Sequence, residues 1–355
     1  MIFRQLFDAA SSTYTYVLGC ESSREAIIID PVFEQHARDT ALLRELNLKI
    51  KYSLDTHVHA DHVTGAWLMK QAFDAQVALA ADAGAANVDL PLKDAMVLAF
   101  GDYSVTAMHT PGHTNGCFTF ITMDKRMAFT GDCLLIRGAG RTDFQAGDVH
   151  EMWHSIRDKI FTLPDDCLIY PGHDYMGRTV STVTEEKRHN PRIGGEAREE
   201  DFAGYMDNLG LPHPKQLEIA LPANMRSGKP DDESLAGSAA TTWAPITVTF
   251  AGVPEVEPDW VARHLNELFV LDVRSSAEFS GDMGHIEGSV LIPLDELRDR
   301  LDEVPSDKPI VAICQSGKRS SMATQILRQA GREQVANIPG GLISWSRLAL
   351  PGLGT

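Results

Sequence analysis

Basic residues are scarce in this sequence: 32 Lys and Arg stand against 49 Asp and Glu, for a formal net charge of −17 over 355 residues. A chain so short of cations is poorly suited to a phosphate backbone or an anionic membrane surface. Neither nucleic acid nor membrane is therefore expected as a partner. Small anions stay open, because they need only a local basic pocket. Cysteine is sparse as well. Cys20, Cys117, Cys133, Cys167 and Cys314 are odd in number, scattered, and contain no Cys-x-x-Cys pair. That argues against a disulfide framework and for a reducing cytoplasm. No apolar run is long enough to span a bilayer. The opening residues, Met1 to Asp8, lack the basic-then-apolar order of a signal peptide. What remains is the composition of an ordinary globular protein, 43% hydrophobic and 23% charged. Its length suits two domains better than one core. Self-association into a homo-oligomer is left open.

Histidine, by contrast, is clustered. Three His and one Asp fall together in Thr56-His57-Val58-His59-Ala60-Asp61-His62, directly after an apolar strand pattern at residues 50–55. Further on come His113 in Thr110-Pro111-Gly112-His113-Thr114, Asp132 in Thr130-Gly131-Asp132, and His173 in Pro171-Gly172-His173-Asp174. Each of these segments follows a β-rich run, where layered α/β folds place their sites. Imidazole and carboxylate are the donors that a borderline divalent transition metal takes. The patterns also predict strands at residues 14–18, 26–30, 103–107, 118–121, 127–130 and 167–170. Helices are expected over residues 35–46, 63–73 and 151–161.

The character changes between Pro222 and Pro258, where Pro, Gly, Ser and Asp replace periodic apolar positions. The resulting expectation is a first domain over residues 1–226, a linker over 227–244 and a second domain over 245–355. The second domain shows its own alternation, with buried-strand patterns at 268–272 and 309–313 and a helix over 320–329. Between the last two lies Cys314-Gln315-Ser316-Gly317-Lys318-Arg319. A thiol there faces the N-terminus of a helix and several backbone N–H groups, which favours the thiolate. Gly317 permits a tight nest, and Lys318 and Arg319 add positive charge. The other four cysteines lack such surroundings in the sequence; Cys117, Cys133 and Cys167 sit in or beside apolar strands.

The four metal-ligand segments resemble the motif series of the metallo-β-lactamase superfamily over roughly residues 1–225. The resemblance implies an αββα sandwich, followed by a smaller α/β domain with a central parallel sheet. The string from Leu134 to Gln145 and the strings at 211–215 and 221–225 are similar to the persulfide dioxygenases. That resemblance implies one Fe(II) held by His57, His113 and Asp132, with O2 and glutathione persulfide as substrates. It implies that His59, Asp61, His62 and His173 orient ligands and water, and that Arg141 and Tyr175 hold the glutathione part. Arg178 and Asn224 are left outside this set. The Cys314 loop resembles a rhodanese, supported by Leu271-Asp272-Val273-Arg274, the run from Gly284 to Ser289 and the run from Gly340 to Trp345. The common rhodanese loop has Arg directly after its Cys, where this chain has Gln315. Together the two halves resemble bacterial persulfide dioxygenase–rhodanese fusions. These imply thiosulfate, sulfite and glutathione as further small-molecule partners, and a Cys314 persulfide, with Lys318 and Arg319 binding substrate. The alternative is a two-zinc glutathione thioester hydrolase carrying a rhodanese module.

Overall fold

The computed structural model describes residues 1–143, 145–212, 214–231 and 243–354. The chain divides into two compact units, Met1–Gly237 and Ser238–Thr355.

The first unit has two six-stranded sheets. One contains β1 (Ile2–Asp8), β2 (Thr13–Gly19), β3 (Glu25–Ile29), β4 (Lys49–Leu54), β5 (Gln76–Ala80) and β6 (Leu90–Leu92), side by side in that order. The other contains β7 (Met96–Phe100), β8 (Tyr103–His109), β9 (Phe118–Thr122), β10 (Met127–Gly131), β11 (Leu168–Pro171) and β12 (Ser181–Thr182), again in chain order. Alternate residues of each strand face opposite ways. Tyr16, Leu18, Ile27 and Ile29 therefore meet Phe120, Phe129 and Tyr170 between the sheets. Val17, Ala26 and Ile28 face outward, among residues of α1 (His36–Glu45) and α2 (Ala66–Phe73). The second sheet's outer face, with Ala128 and Ile169, is covered by α3 (Val149–His154), α4 (Val183–His189) and α5 (Glu199–Asp207). The layers are thus α, β, β, α. A further helix, α6 (Leu217–Asn224), follows.

Strand direction places the site. β8 and β10 both run antiparallel to β9, and β10 runs parallel to β11. The loops leaving β8, β10 and β11, which carry His113, Asp132 and His173, therefore emerge at one edge.

The second unit is built on a six-stranded sheet. Its strands are β13 (Thr247–Val248), β14 (Pro254–Glu255), β15 (Phe269–Asp272), β17 (Val290–Leu291), β18 (Ile310–Ile313) and β19 (Val335–Asn337); β16 (His285–Ile286) pairs apart with β20 (Leu353–Gly354). All pairings in the larger sheet except β13–β14 are parallel. One face packs against α7 (Pro258–His264) and α10 (Gly341–Arg347), the other against α9 (Lys318–Gln329), and α8 (Ser276–Phe279) lies in the turn after β15.

Three local features differ from the sequence patterns. The helix expected over 63–73 starts only at Ala66, because Val63 O accepts from Phe33 N and Trp67 N donates to Ser227 O, so the bond that would open a helix at 63 is not made. The helix expected over 151–161 begins at Val149, since Asp148 caps the N–H groups of His150 and Glu151. It then loosens into a π turn and a 3-10 turn. The expected linker is packed at both ends. Ser227 is buried and donates its hydroxyl to Ala86 O, and Ala244 joins the second unit's core. Residues 232–242 of that segment lie outside the described residues.

Phe129 is fully buried between the sheets, with ring centroids of Tyr16 and Tyr170 at 4.9 and 5.4 Å. Phe129→Ala is expected to destabilise the first unit by about 3–5 kcal/mol, read as a lower urea midpoint with unchanged slope.

Candidate metal and thiol sites

The segment after β4 is organised by Asp30, which stands at the end of β3. One carboxylate oxygen accepts from Thr56 N at 2.7 Å and faces His59 Nε2 at 3.1 Å; the other accepts from the Thr56 hydroxyl at 2.9 Å. That hydroxyl has one proton, and it goes to Asp30. His57 Nδ1, 3.0 Å from the same oxygen, must then be the donor. The tautomer leaves His57 Nε2 with a free lone pair. His113 is set the same way: its Nδ1 lies 2.7 Å from Arg141 O, which can only accept, so Nε2 keeps the lone pair.

The result is a compact donor set. The ligand atoms of His57, His113 and Asp132 lie within 4.8 Å of one another, and His113 Nε2 is 3.6 Å from Asp132 Oδ2. Burial, with His59 and His113 adjacent, holds the His57 ring well below its ordinary pKa, so it is neutral and able to ligate. Gly172 lets the backbone pass close beside this group, because a Cβ there would lie 2.8 Å from Asp132 Oδ1. A second group, His59, Asp61 and His173, also has its ligand atoms within 4.8 Å of one another. Burial opposes the charge on Asp61, yet His62 and His173 hold its carboxyl well below the usual carboxylate range. Burial likewise opposes charge on His59, but Asp30 lifts it to about 9. The Thr13 hydroxyl sits among this second group, 3.3 Å from Asp61 Oδ2 and from His62 Nδ1.

These residues fit a metal ion. Asp132 Oδ1, His59 Nδ1 and His62 Nε2 are buried without a hydrogen-bond partner among the described residues. Buried polar atoms left so are costly. Two imidazoles and a carboxylate satisfy a borderline divalent cation.

A cavity of about 210 Å³ opens onto Asp61, His113, Asp132 and His173. Arg141 and Tyr175 line it, as do Arg137, Arg178 and Arg192, of which only Arg178 stands out in the sequence. The Arg141 guanidinium is engaged: it bonds both Asp143 oxygens at 2.6 Å, Pro212 O at 2.7 Å and Leu211 O at 3.1 Å. It thus straps the segment at 211–212 to the cavity wall. The Tyr175 ring is parallel to that of His173 at 6.1 Å. Although much of its side chain is exposed, desolvation of the hydroxyl, with Asp132 and Asp61, raises its pKa, so the phenol stays a donor. Asp30 and Thr13 lie outside the set of site residues expected from the sequence, as does Asn224. For Asp30 there is a signal, a carboxylate ending an apolar strand.

In the second unit, Cys314 directly follows β18. Its Sγ accepts from Gly317 N at 3.2 Å and from the Ser320 hydroxyl at 3.3 Å. Burial opposes the thiolate, but the Ser320 hydroxyl and the N–H groups of Ser320, Ser316 and Gly317 lower the pKa below the ordinary thiol value. Lys318 is exposed. Arg319 is gripped by Glu278 through two bonds of 2.6 and 2.7 Å, so it supplies charge from a fixed position. The other cysteines divide. Burial raises Cys117 to about 12 and Cys167 to about 11. At Cys20 the Asp102 N–H and the Ser22 hydroxyl favour the thiolate, but the side chain is fully buried and its Sγ donates to the Asp102 carboxylate at 3.5 Å, which favours the thiol. Ser320→Ala removes a donor to a charged sulfur, worth about 1.5–3 kcal/mol. The Cys314 thiol pKa should therefore rise by roughly one to two units. Iodoacetamide alkylation against pH, followed on the Cys314 peptide by mass spectrometry, reads this directly.

Comparison with known proteins agrees with these two units. Residues 9–173 match the metallo-beta-lactamase superfamily, and residues 257–348 match the rhodanese-like domain. The mitochondrial persulfide dioxygenases ETHE1 of Mus musculus and Homo sapiens are each 49% identical over 228 residues, spanning 64% of this chain and 89% of the relative. The crystal structure of ETHE1 from Myxococcus xanthus matches with a TM-score of 0.62 at 45% identity, covering 64% of this chain and all of that one. The chain therefore belongs to the persulfide dioxygenase family of the metallo-beta-lactamase superfamily, and it carries a rhodanese-like domain C-terminal to that part.

Proposed function

We propose that the chain is a cytoplasmic Fe(II) dioxygenase that oxidises glutathione persulfide to sulfite and glutathione, joined to a sulfurtransferase acting through Cys314. The observation that carries the reading is the His57, His113 and Asp132 donor set, of which His113 and Asp132 open onto the cavity. Those three residues would hold one Fe(II), which would supply Lewis acidity and redox capacity. In the overall reaction, persulfide, O2 and water give thiol, sulfite and two protons, and four electrons pass from sulfur to O2.

The chain's own residues do the rest. Asp30, through Thr56, fixes the His57 tautomer, and the Arg141 carbonyl fixes that of His113. The Tyr175 phenol and Arg178 line the cavity, and guanidinium groups suit the carboxylates of a glutathione moiety, whereas Arg141 shapes the wall through Asp143 and the carbonyls of Leu211 and Pro212. In the second unit, the Cys314 thiolate attacks the outer sulfur of thiosulfate. The S–S bond breaks, sulfite leaves with the bonding pair, and Cys314 carries a persulfide. A glutathione thiolate then takes that sulfur and restores the Cys314 thiolate. With neutral Gln315 in the loop, its cations are Lys318 and Arg319. Fusion raises the local concentration of a reactive intermediate.

A second reading is favoured by the group of His59, Asp61 and His173: two zinc ions and hydrolysis of a glutathione thioester. His113→Ala separates the two. It should remove the bound iron and abolish oxygen uptake with glutathione persulfide; two zinc ions per chain with thioester hydrolysis in the parent protein would overturn the dioxygenase.

Cys314→Ser divides the labour of the two units, since a hydroxyl is not ionised at neutral pH and carries no persulfide. Oxygen uptake driven by thiosulfate plus glutathione should stop, while uptake driven by preformed glutathione persulfide continues near the parent rate. Equal loss of both would sink this division.

A further inference from the structure

Asn224 is the last residue of α6 and is 2% exposed. Its amide donates to His59 O at 2.9 Å and to His62 O at 2.8 Å, and its Oδ1 accepts from Thr64 N at 2.9 Å. Both amide protons and one carbonyl lone pair are thus spent on the backbone of a single loop, about 160 residues away in the chain. That loop carries His57, His59, Asp61 and His62. Asp30 holds the start of the loop through Thr56 N, the Thr56 hydroxyl and His59 Nε2, and its remaining backbone ties include Phe118 N to Thr56 O, Gln145 Nε2 to Val58 O and Phe33 N to Val63 O.

We propose that Asn224 is a positioning residue for the metal site, one that sets where the loop presents its imidazoles without touching a ligand atom itself. The inference rests on the reading that His57, His113 and Asp132 hold a metal. Ring direction at His59 and His62 follows from the backbone around them, and Asn224 fixes that backbone at His59, His62 and Thr64, directly after His57 and Val58. No other side chain of its size supplies two donors and an acceptor in this arrangement. Aspartate keeps the shape but sets a carboxylate against two carbonyl oxygens. Alanine leaves two carbonyls and an N–H buried without a partner, which is costly.

The role is separable from docking of the segment. Beyond Asn224, Ser227 O accepts from Trp67 N at 3.2 Å, the Ser227 hydroxyl donates to Ala86 O at 2.8 Å, and Met225 O accepts from Ala86 N at 2.8 Å. Gly228 lies against Thr64 so closely that a Cβ there would meet Thr64 O at 2.1 Å. These contacts hold the end of α6 in place whatever side chain stands at 224.

The test uses the full chain freed of metal and titrated with cobalt(II) against a competing chelator, reading both affinity and the visible d–d bands. Circular dichroism of the metal-free protein reports folding. Asn224→Asp and Asn224→Ala should stay folded yet bind cobalt(II) roughly tenfold or more weakly, with altered bands. Affinity and bands matching the parent in either folded variant overturn the proposal. If only Asn224→Ala fails to fold, Asn224→Asp decides. If both unfold without metal, Asn224 is merely structural and the proposal is overturned. Parent protein and His113→Ala run alongside: a parent that takes no cobalt(II), or takes it no better than His113→Ala, overturns the metal reading instead.

Discussion

The Asp30 carboxylate, 1% exposed, is bonded at once to Thr56 N, the Thr56 hydroxyl and His59 Nε2. Everything in the first site depends on this grip. Asp30 ends β3 with φ +50°, in the left-handed region. The strain of that backbone turns the side chain from the strand toward the loop after β4, and strain held this way is common where a site must be shaped. Its N–H is tied to Leu54 O at 2.8 Å, so β3 and β4 are fixed together where the histidines begin. One buried group thereby links sheet register, loop shape and the tautomer of His57.

The histidines crowd one another. Ring centroids of His57 and His59 are 4.2 Å apart, of His59 and His62 4.3 Å, and of His57 and His113 4.8 Å. Imidazoles so close cannot all be cationic, and Asp30, Asp61 and Asp132 are interleaved with them. Such a cluster is unfavourable as a mere packing solution. It becomes stable when a cation shares the lone pairs, which couples metal binding to the folded state.

The thiol site solves the opposite problem, holding an anion. Here the chain supplies backbone N–H groups and a hydroxyl in place of a metal. A buried ion pair anchors the surroundings: Arg274 and Asp272 meet at 2.7 Å, and Arg274 also bonds Glu278 O and Gly284 O. Glu278 in turn holds Arg319 beside the thiol loop. Taking one partner from a buried pair leaves an uncompensated charge, so this frame resists drift of the cation that neighbours Cys314.

Much of this is legible in the amino-acid sequence. The layered fold follows from strand patterns and the motif resemblance, and the donor types from the clustering of His57, His59, His62, His113, Asp132 and His173. Cys314 stands out because strand, Gly317 and basic residues adjoin it in sequence. These are local properties, and chemistry at short spacing survives in a linear string. Only the tertiary structure decided which way each group faces. It turned the Arg141 guanidinium onto Asp143 and the carbonyls of Leu211 and Pro212, put Arg319 in the hands of Glu278, and set Cys20 beside the Asp102 N–H. It also carried Asn224 to the histidine loop across about 160 residues. The sequence determined which atoms were available for chemistry; the tertiary structure decided which were already spent, because a hydrogen bond depends on distance and angle in space, not on separation along the chain.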